Sequence, residues 1–222
     1  MRLVYASAFA TMLALVFPAV HHAQDPDRVI KDGGISAPGW TGKVDAPRAA
    51  KGMTLEMSRF AMKGSDIDIM TGPPTTYWNP ANTASGDFTL KATFRDLKSD
   101  AGHPHPAGLF IGGSNMDSDN MSITYCVAYT NGSFLVRQLT GAKAATLAGG
   151  MKSMHAAVKQ PDAKGLVTNE IAWVVKGNRA ECQINGQTVA GFDKPAITTD
   201  GVYGIRVAHN ISTIVSGFGI TK

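Results

Sequence analysis

Much that would mark a helical, membrane-spanning or nucleic-acid-binding protein is missing from this sequence. Beyond residue 23, no segment keeps a clear 3.6-residue periodicity and no apolar run is long enough to cross a bilayer. The formal net charge is only +4, and the lysines are scattered along the chain. No basic patch is present, so we expect no nucleic-acid partner. Nor does a Gly-rich phosphate loop join a strand to a helix, and no Ser/His/Asp set has a family context.

The first 23 residues have the composition of a secretory signal peptide. Met1-Arg2 gives a positive start, residues 4–20 are apolar and small, and Ala23 precedes polar Gln24. Their removal takes away Arg2 and no acid, so the net charge falls from +4 to +3. The alternative is that these residues stay attached as a membrane anchor, but the apolar run is short for a membrane span and Pro18 ends it. We therefore predict a secreted or periplasmic protein with no membrane association after cleavage.

Only two cysteines are present, Cys126 and Cys182, and both fall in predicted strands. Export makes a disulfide between them chemically allowed. Two buried free thiols are the alternative, because pairing requires Cα atoms within about 7 Å of each other.

Three consecutive strands are predicted between Asn169 and Phe192. The first is apolar on both faces, as expected for a covered central strand. The second alternates apolar and polar residues from Arg179 to Ile184, a half-buried pattern. Asn185-Gly186 follows, the strongest two-residue hairpin signal. This turn would place Ile184 opposite Gln187, Gln183 opposite Thr188 and Cys182 opposite Val189.

Other segments extend the same pattern. Period-two alternation is clearest in residues 88–95, and the last two strands are predicted at residues 201–207 and 212–221. Residues 24–51 are rich in Asp, Pro, Gly and Ala and are predicted to form an extended N-terminal arm, in which Trp40 would pin the arm to the core. Residues 142–164 are less regular and are expected to be partly helical. The fold class is therefore all-β, an antiparallel β-sandwich over residues 52–222.

The order of these features resembles a known superfamily. A strand, a Gly-rich strand, a hairpin with Asn-Gly, a Gly-Asn turn and the segment Ile184–Val189 (I-N-G-Q-T-V) are together similar to the concanavalin A-like lectin/glucanase superfamily, closest to LamG-like and 3-keto-disaccharide hydrolase-like (DUF1080) domains. The resemblance covers about Met53 to Lys222 and implies a concanavalin A-like jelly roll. Residues 108–113 depart from the DUF1080 pattern, which has a Ser-Gly segment ending in Arg at that place.

Sugar recognition needs an aromatic face for the apolar side of a sugar ring, with amide or guanidinium donors for its hydroxyls. An aromatic loop and several dispersed polar residues offer these groups. For Trp78, burial in the core is an equal alternative to contact with a sugar. The predicted ligand-binding residues are Tyr77, Trp78, Asn79, Arg137, Arg206 and His209.

No cofactor is predicted apart from a possible structural calcium ion. Asn115, Asp117 and Asp119 stand at alternate positions and offer oxygen ligands for it. LamG-like domains often carry such a site, as the resemblance implies. His103 and His105 with Asp100 form a second metal candidate that lacks a further ligand. Asp66 and Asp68 share one strand face, which favours a solvated face over a glycosidase motif because a third carboxylate is missing.

These observations favour a carbohydrate-binding, non-catalytic domain with a carbohydrate partner. The first alternative is a glycoside hydrolase of the DUF1080 type, which would use a carboxylate and a histidine among Asp66, Asp68, His103 and His209. The second is a structural envelope protein, which would show an exposed apolar patch and no cleft. Whether the protein is an enzyme, and its oligomeric state, stay open at this stage.

Overall fold

The computed structural model describes residues 25–222. The predicted signal peptide lies outside the described residues. Among the helices that the structure describes, none has the length and apolar character needed to span a membrane.

Fifteen strands make up most of the described chain and form two sheets. The strands are β1 (Gly34–Ser36), β2 (Thr41–Val44), β3 (Arg59–Lys63), β4 (Asp66–Met70), β5 (Thr75–Ala84), β6 (Phe88–Ser99), β7 (Pro106–Ser114), β8 (Ser122–Tyr129), β9 (Ser133–Thr140), β10 (Lys143–Met154), β11 (Val167–Lys176), β12 (Arg179–Ile184), β13 (Gln187–Asp193), β14 (Gly201–Val207) and β15 (Ile211–Thr221). Helical structure in residues 25–222 is confined to α1 (Ala46–Ala49) and two 3₁₀ turns, Leu55–Met57 and Lys194–Ala196.

The eight-stranded sheet has the order β1-β3-β4-β15-β6-β11-β12-β13, and the seven-stranded sheet has the order β10-β9-β8-β7-β14-β5-β2. All pairs are antiparallel except β1 with β3. The chain is thus a β-sandwich of the jelly-roll type, as the sequence predicted.

The main core fills the space between the two sheets. In β6, Phe88, Leu90, Ala92 and Phe94 are buried while the residues between them face outward, because successive side chains of a strand alternate in direction. They pack against inward-facing residues of the other sheet, such as Leu109. The fully buried Trp173 completes this layer, and its indole N–H donates to the carbonyl of Leu109 at 3.3 Å.

A second apolar cluster covers the outer face of the seven-stranded sheet. Its members alternate along the strands with residues of the main core, which places them on the opposite face. The buried members are Trp78, Phe110, Met116, Met121, Ile123, Tyr125, Val127 and Leu135.

A disulfide joins the two sheets across the core. It links Cys126 on β8 to Cys182 on β12, with the Cα atoms 6.1 Å apart and a sequence separation of 56. Closing a loop of this length stabilises a fold by at most about 4 kcal/mol in the chain-entropy model.

The β12–β13 hairpin follows its turn sequence. Asn185 and Gly186 both have positive φ, 50° and 77°, as a type I′ turn requires. Ile184 pairs with Gln187 and Gln183 with Thr188, as predicted. The third predicted pair is wrong: Cys182 lies opposite Ala190, because a bulge adds one residue to β13 at Val189.

Two segments differ from their expected conformations. The predicted arm, residues 24–51, contributes β1 to one sheet and β2 to the other, because its short extended stretches pair with the edge strands β3 and β5. The patch expected to be partly helical contains β10, which pairs along β9 through two irregularities. Its alanines and glycines give no alternating pattern, so pairing with β9 decides its conformation.

Candidate functional site

The aromatic residues predicted to hold a sugar are both buried. Tyr77 is fully buried and stacks on Phe60 with ring centroids 4.6 Å apart. Burial raises the pKa of Tyr77 to about 12. Trp78 is only 2% exposed and belongs to the outer-face cluster. Neither ring offers a surface to a ligand.

Arg206 is committed to an internal ion pair. Its two terminal nitrogens donate to the two carboxylate oxygens of Asp45, each at 2.5 Å, and one of them also donates to Thr76 Oγ1 at 3.1 Å. The guanidinium lies 5.6 Å from the centre of the Tyr125 ring. Burial alone would lower the pKa of Arg206, but the Asp45 carboxylate outweighs burial and raises it. The pair holds the segment that enters α1 against the sheet.

The Arg137 side chain is engaged by a neighbouring strand. Arg137 lies on β9, where its side chain donates to Thr146 Oγ1 of β10 at 3.2 and 3.3 Å. The structure therefore does not bring the six predicted ligand residues into one site.

An open cleft of about 230 Å³ lies where β5 and β14 of one sheet face β4 and β15 of the other. Three aromatic rings form a continuous wall beside it. Trp40 contacts Phe218 with ring centroids 5.3 Å apart, and Phe218 contacts Tyr203 at 5.7 Å. Trp40 and Phe218 are half-buried, and both pack on the main core while they line the cleft. The lining residues are Trp40, Met62, Ser65, Ile67, Asn79, Asn82, Tyr203, Phe218 and Gly219.

Polar groups line the other part of the aromatic cleft. Asn79 Oδ1 accepts from the backbone N–H of Ala81 at 3.0 Å, which fixes the amide and leaves its Nδ2 as a donor. Asn82 is half-buried and Ser65 is exposed. Burial raises the pKa of Tyr203, so its hydroxyl stays protonated and can also donate. The aromatic cleft thus combines apolar ring surface with hydrogen-bond donors.

Asn79 is the one predicted ligand residue that lines the aromatic cleft. Trp40 does pin the N-terminal segment, since its ring lies 4.8 Å from that of Phe60, but it also lines the cleft. Asn82, Tyr203 and Phe218 were not predicted. The available signal was an aromatic residue, Phe218, that stands between two glycines in the last strand.

A second pocket, of about 190 Å³, lies on the outer face of the seven-stranded sheet. Aliphatic side chains dominate its lining, which includes Val44, Pro47, Met121 and Leu139. Among its described lining residues none is aromatic, so it offers no stacking surface for a sugar.

The predicted calcium ligands lie in the β7–β8 loop, beside the outer-face pocket. Asn115, Asp117 and Asp119 are exposed. The carbonyl of Asn115 accepts from the backbone N–H of Ser118 at 3.0 Å, and Asp119 lies 3.6 Å from the ammonium of Lys43. A calcium ion at these residues stays a prediction.

His209 lies far from the aromatic cleft. It stands in the turn between β14 and β15, beside His103 and His105 from the loop between β6 and β7. The aromatic cleft lies at the other ends of β14 and β15, by Tyr203 and Gly219. With about 3.3 Å per strand residue, the six residue steps from Tyr203 to His209 span at most about 20 Å.

The carboxylates of β4 point to solvent on the outer face of the eight-stranded sheet, because Ile67 and Ile69 take the inward positions. Asp68 pairs with Arg59 at 2.7 Å, and Asp66 pairs with Arg95. Asp66 and Asp68 therefore do not converge with His103 or His209.

No protein-family model and no curated protein matches the sequence. Similar solved structures include carbohydrate-binding module CBM66 from Bacillus subtilis, with a TM-score of 0.56 and 11% identity over 86% of this chain and 99% of that chain. A Bacillus subtilis protein of unknown function with a galectin-like fold gives 0.52 and 10% identity, over 82% and 88%. The endo-beta-1,3-glucanase from Pyrococcus furiosus gives 0.49 and 11%, over 79% and 85%. Together with the sheet order, the first two show that this chain has a jelly-roll β-sandwich fold.

Proposed function

We propose that this protein is an exported carbohydrate-binding domain that holds a sugar in the aromatic cleft without cleaving it. The observation that carries the proposal is an open space of about 230 Å³ that is lined both by the aromatic wall of Trp40, Phe218 and Tyr203 and by the amides of Asn79 and Asn82. A sugar ring has an apolar face that packs on an aromatic ring, and its hydroxyl groups pair with amides. The signal-like residues 1–23 support export.

The size of the aromatic cleft favours a short ligand. Pockets for drug-sized ligands have volumes of about 300–1,000 Å³. A cleft below that range suits one sugar unit, such as the end of a chain, more than the middle of a long polysaccharide. The similarity to a carbohydrate-binding module supports binding as the role of the domain.

The chemistry of the lining supports binding without hydrolysis. Most glycoside hydrolases use two carboxyl groups that flank the bond being cleaved. Among the described residues that line the aromatic cleft, none is Asp or Glu. The carboxylates of the alternative hydrolase hypothesis, Asp66 and Asp68, form ion pairs on the outer face of the eight-stranded sheet, away from the cleft lining.

Affinity gel electrophoresis with a panel of polysaccharides, together with a glycan array, tests the proposal. We expect the wild type to be retained by at least one glycan. Phe218→Ala and Asn82→Ala should weaken that binding about tenfold or more, which corresponds to about 1.4 kcal/mol. Tyr129→Ala is the matched control, because Tyr129 is a half-buried aromatic residue on the outer face of the seven-stranded sheet.

Two outcomes would overturn this assignment. Absence of binding to every glycan would refute the function. Loss of binding in Tyr129→Ala with normal binding in Phe218→Ala would move the site to the outer face. Circular dichroism of each variant confirms that the variant is folded.

A further inference from the structure

Three histidines meet at the end of the sandwich opposite the aromatic cleft. The β6–β7 loop and the β14–β15 turn both cross from one sheet to the other there, and they bring His103, His105 and His209 together. One ring nitrogen from each histidine lies within 4.8 Å of the others. The ring centroids of His105 and His209 are 3.9 Å apart, and those of His103 and His105 are 4.3 Å apart. Within residues 25–222, no other group of three or more His, Cys, Asp or Glu side chains converges closely enough to hold a metal ion.

Two carboxylates of the N-terminal segment contact this histidine cluster. Asp25 Oδ2 lies 3.1 Å from Nδ1 of His103, and Asp27 Oδ1 lies 2.8 Å from Nδ1 of His209. Metal-binding histidines commonly present one ring nitrogen to a carboxylate and the other to the metal. Contact through Nδ1 leaves Nε2 of His103 and of His209 as the coordinating atom.

The two aspartates are themselves held in place. Arg48 contacts Asp27 Oδ2 at 3.1 Å, and the Asp27 side chain is only 3% exposed. The backbone N–H of Gly102 donates to Asp25 Oδ2 at 2.5 Å. Asn210 fixes the segment between them, since it accepts from the N–H of Arg28 and donates to the carbonyl of Pro26.

His105 supplies an independent sign of a missing ligand. The residue is 7% exposed, and its Nε2 has no hydrogen-bond partner among the described residues. A buried polar atom without a partner costs about 1–3 kcal/mol, so such atoms are uncommon in folded proteins. A buried imidazole nitrogen without a hydrogen-bond partner is available to coordinate a metal ion.

We propose that His103, His105 and His209 bind a first-row transition-metal dication of the zinc class, with Asp25 and Asp27 orienting two of the rings. Imidazole nitrogens suit zinc, copper and nickel, whereas calcium and magnesium take oxygen ligands. Zn–N bonds of 2.0–2.1 Å in a tetrahedral site place ligand nitrogens about 3.4 Å apart. The ring nitrogens that now lie within 4.8 Å of one another would have to approach by at most about 1.4 Å. The His103 side chain, 40% exposed, has room to make that movement and leaves a side of the site open to water.

Isothermal titration calorimetry on chelator-treated protein tests the site, with Zn²⁺ and Ca²⁺ as separate titrants. We expect one Zn²⁺ per chain and no comparable binding of Ca²⁺. Asp27→Asn should weaken Zn²⁺ binding about 10- to 100-fold, as loss of an outer partner does. His103→Ala should weaken it more than that, and its partial exposure allows the variant to fold.

His155→Ala is the matched control, because His155 lies in the segment after β10 and contacts Phe134 instead of the histidine cluster. It should bind Zn²⁺ like the wild type. Equal affinity of His103→Ala and the wild type, or no Zn²⁺ binding by the wild type, would overturn the proposal. In Co²⁺-loaded protein, an intense visible absorption band that His103→Ala lacks would support a tetrahedral site.

Discussion

The ion pair between Asp45 and Arg206 should be one of the costliest polar contacts to break. The Arg206 side chain is 11% exposed and that of Asp45 is 23% exposed. Removing one partner of a buried ion pair costs about 3–5 kcal/mol, because the remaining charge stays buried without a counterion. Since Asp45 reaches some solvent, we expect Asp45→Ala to lower the free energy of unfolding by about 3 kcal/mol. In a chain of this size, that loss corresponds to a fall in Tm of about 6–12 °C.

Asp68→Ala is the matched control, because Asp68 pairs with Arg59 at 2.7 Å but both side chains are more exposed, at 27% and 39%. Exposed pairs contribute about 0.2–1 kcal/mol. Arg206→Met should lose less stability than Asp45→Ala, since it removes the buried charge and the remaining carboxylate can be hydrated. Urea unfolding followed by circular dichroism measures all three. Equal losses in Asp45→Ala and Asp68→Ala would refute the argument that Arg206 is a buried charge.

Two further predictions concern buried positions of the seven-stranded sheet. Gly204→Ala should lower the free energy of unfolding by about 1–3 kcal/mol, because a Cβ there would lie 2.2 Å from the carbonyl oxygen of Tyr77. Gly219→Ala is the control: its Cβ would meet nothing within 4 Å, so its free energy of unfolding, measured in urea, should change little. For Tyr77, the folded-state pKa of about 12 exceeds the ordinary value of 10, so the stability that its protonated hydroxyl gives is complete below pH 10 and is lost as the pH rises towards 12. In Tyr77→Phe, the free energy of unfolding should therefore fall less steeply between pH 10 and 12 than in the wild type. Identical pH profiles of the two proteins would contradict this.

The sequence predicted those parts of the fold that depend on local signals. The Asn185-Gly186 turn requires positive φ at two successive residues, and few dipeptides adopt it easily. Alternation in β6 shows which of its faces is buried, because a strand has a period of two. The bulge at Val189 and the strand conformation of β10 depend on pairing with neighbouring strands, and no short window of sequence contains that information.

The candidate sites were harder to predict, because each combines residues that are distant in sequence. Trp40 meets Phe218 only after the first and last segments of the described chain have packed together. His103 and His105 were recognisable as a pair, but the third histidine comes from the β14–β15 turn. Tyr77 and Trp78 matched the residue types of a sugar site, yet burial of apolar surface in two cores decides their orientation.

The two ends of the described chain lie beside different sites. Asp25, the first described residue, contacts the histidine cluster, while β15 ends at Thr221, two residues after Gly219 of the aromatic cleft. The position of a fusion tag therefore matters for any assay. A polyhistidine tag before Asp25 would add competing imidazoles next to the histidine cluster, whereas a tag after Lys222 would crowd the entrance of the cleft. Metal titrations need a free amino terminus, and glycan assays need a free carboxy terminus.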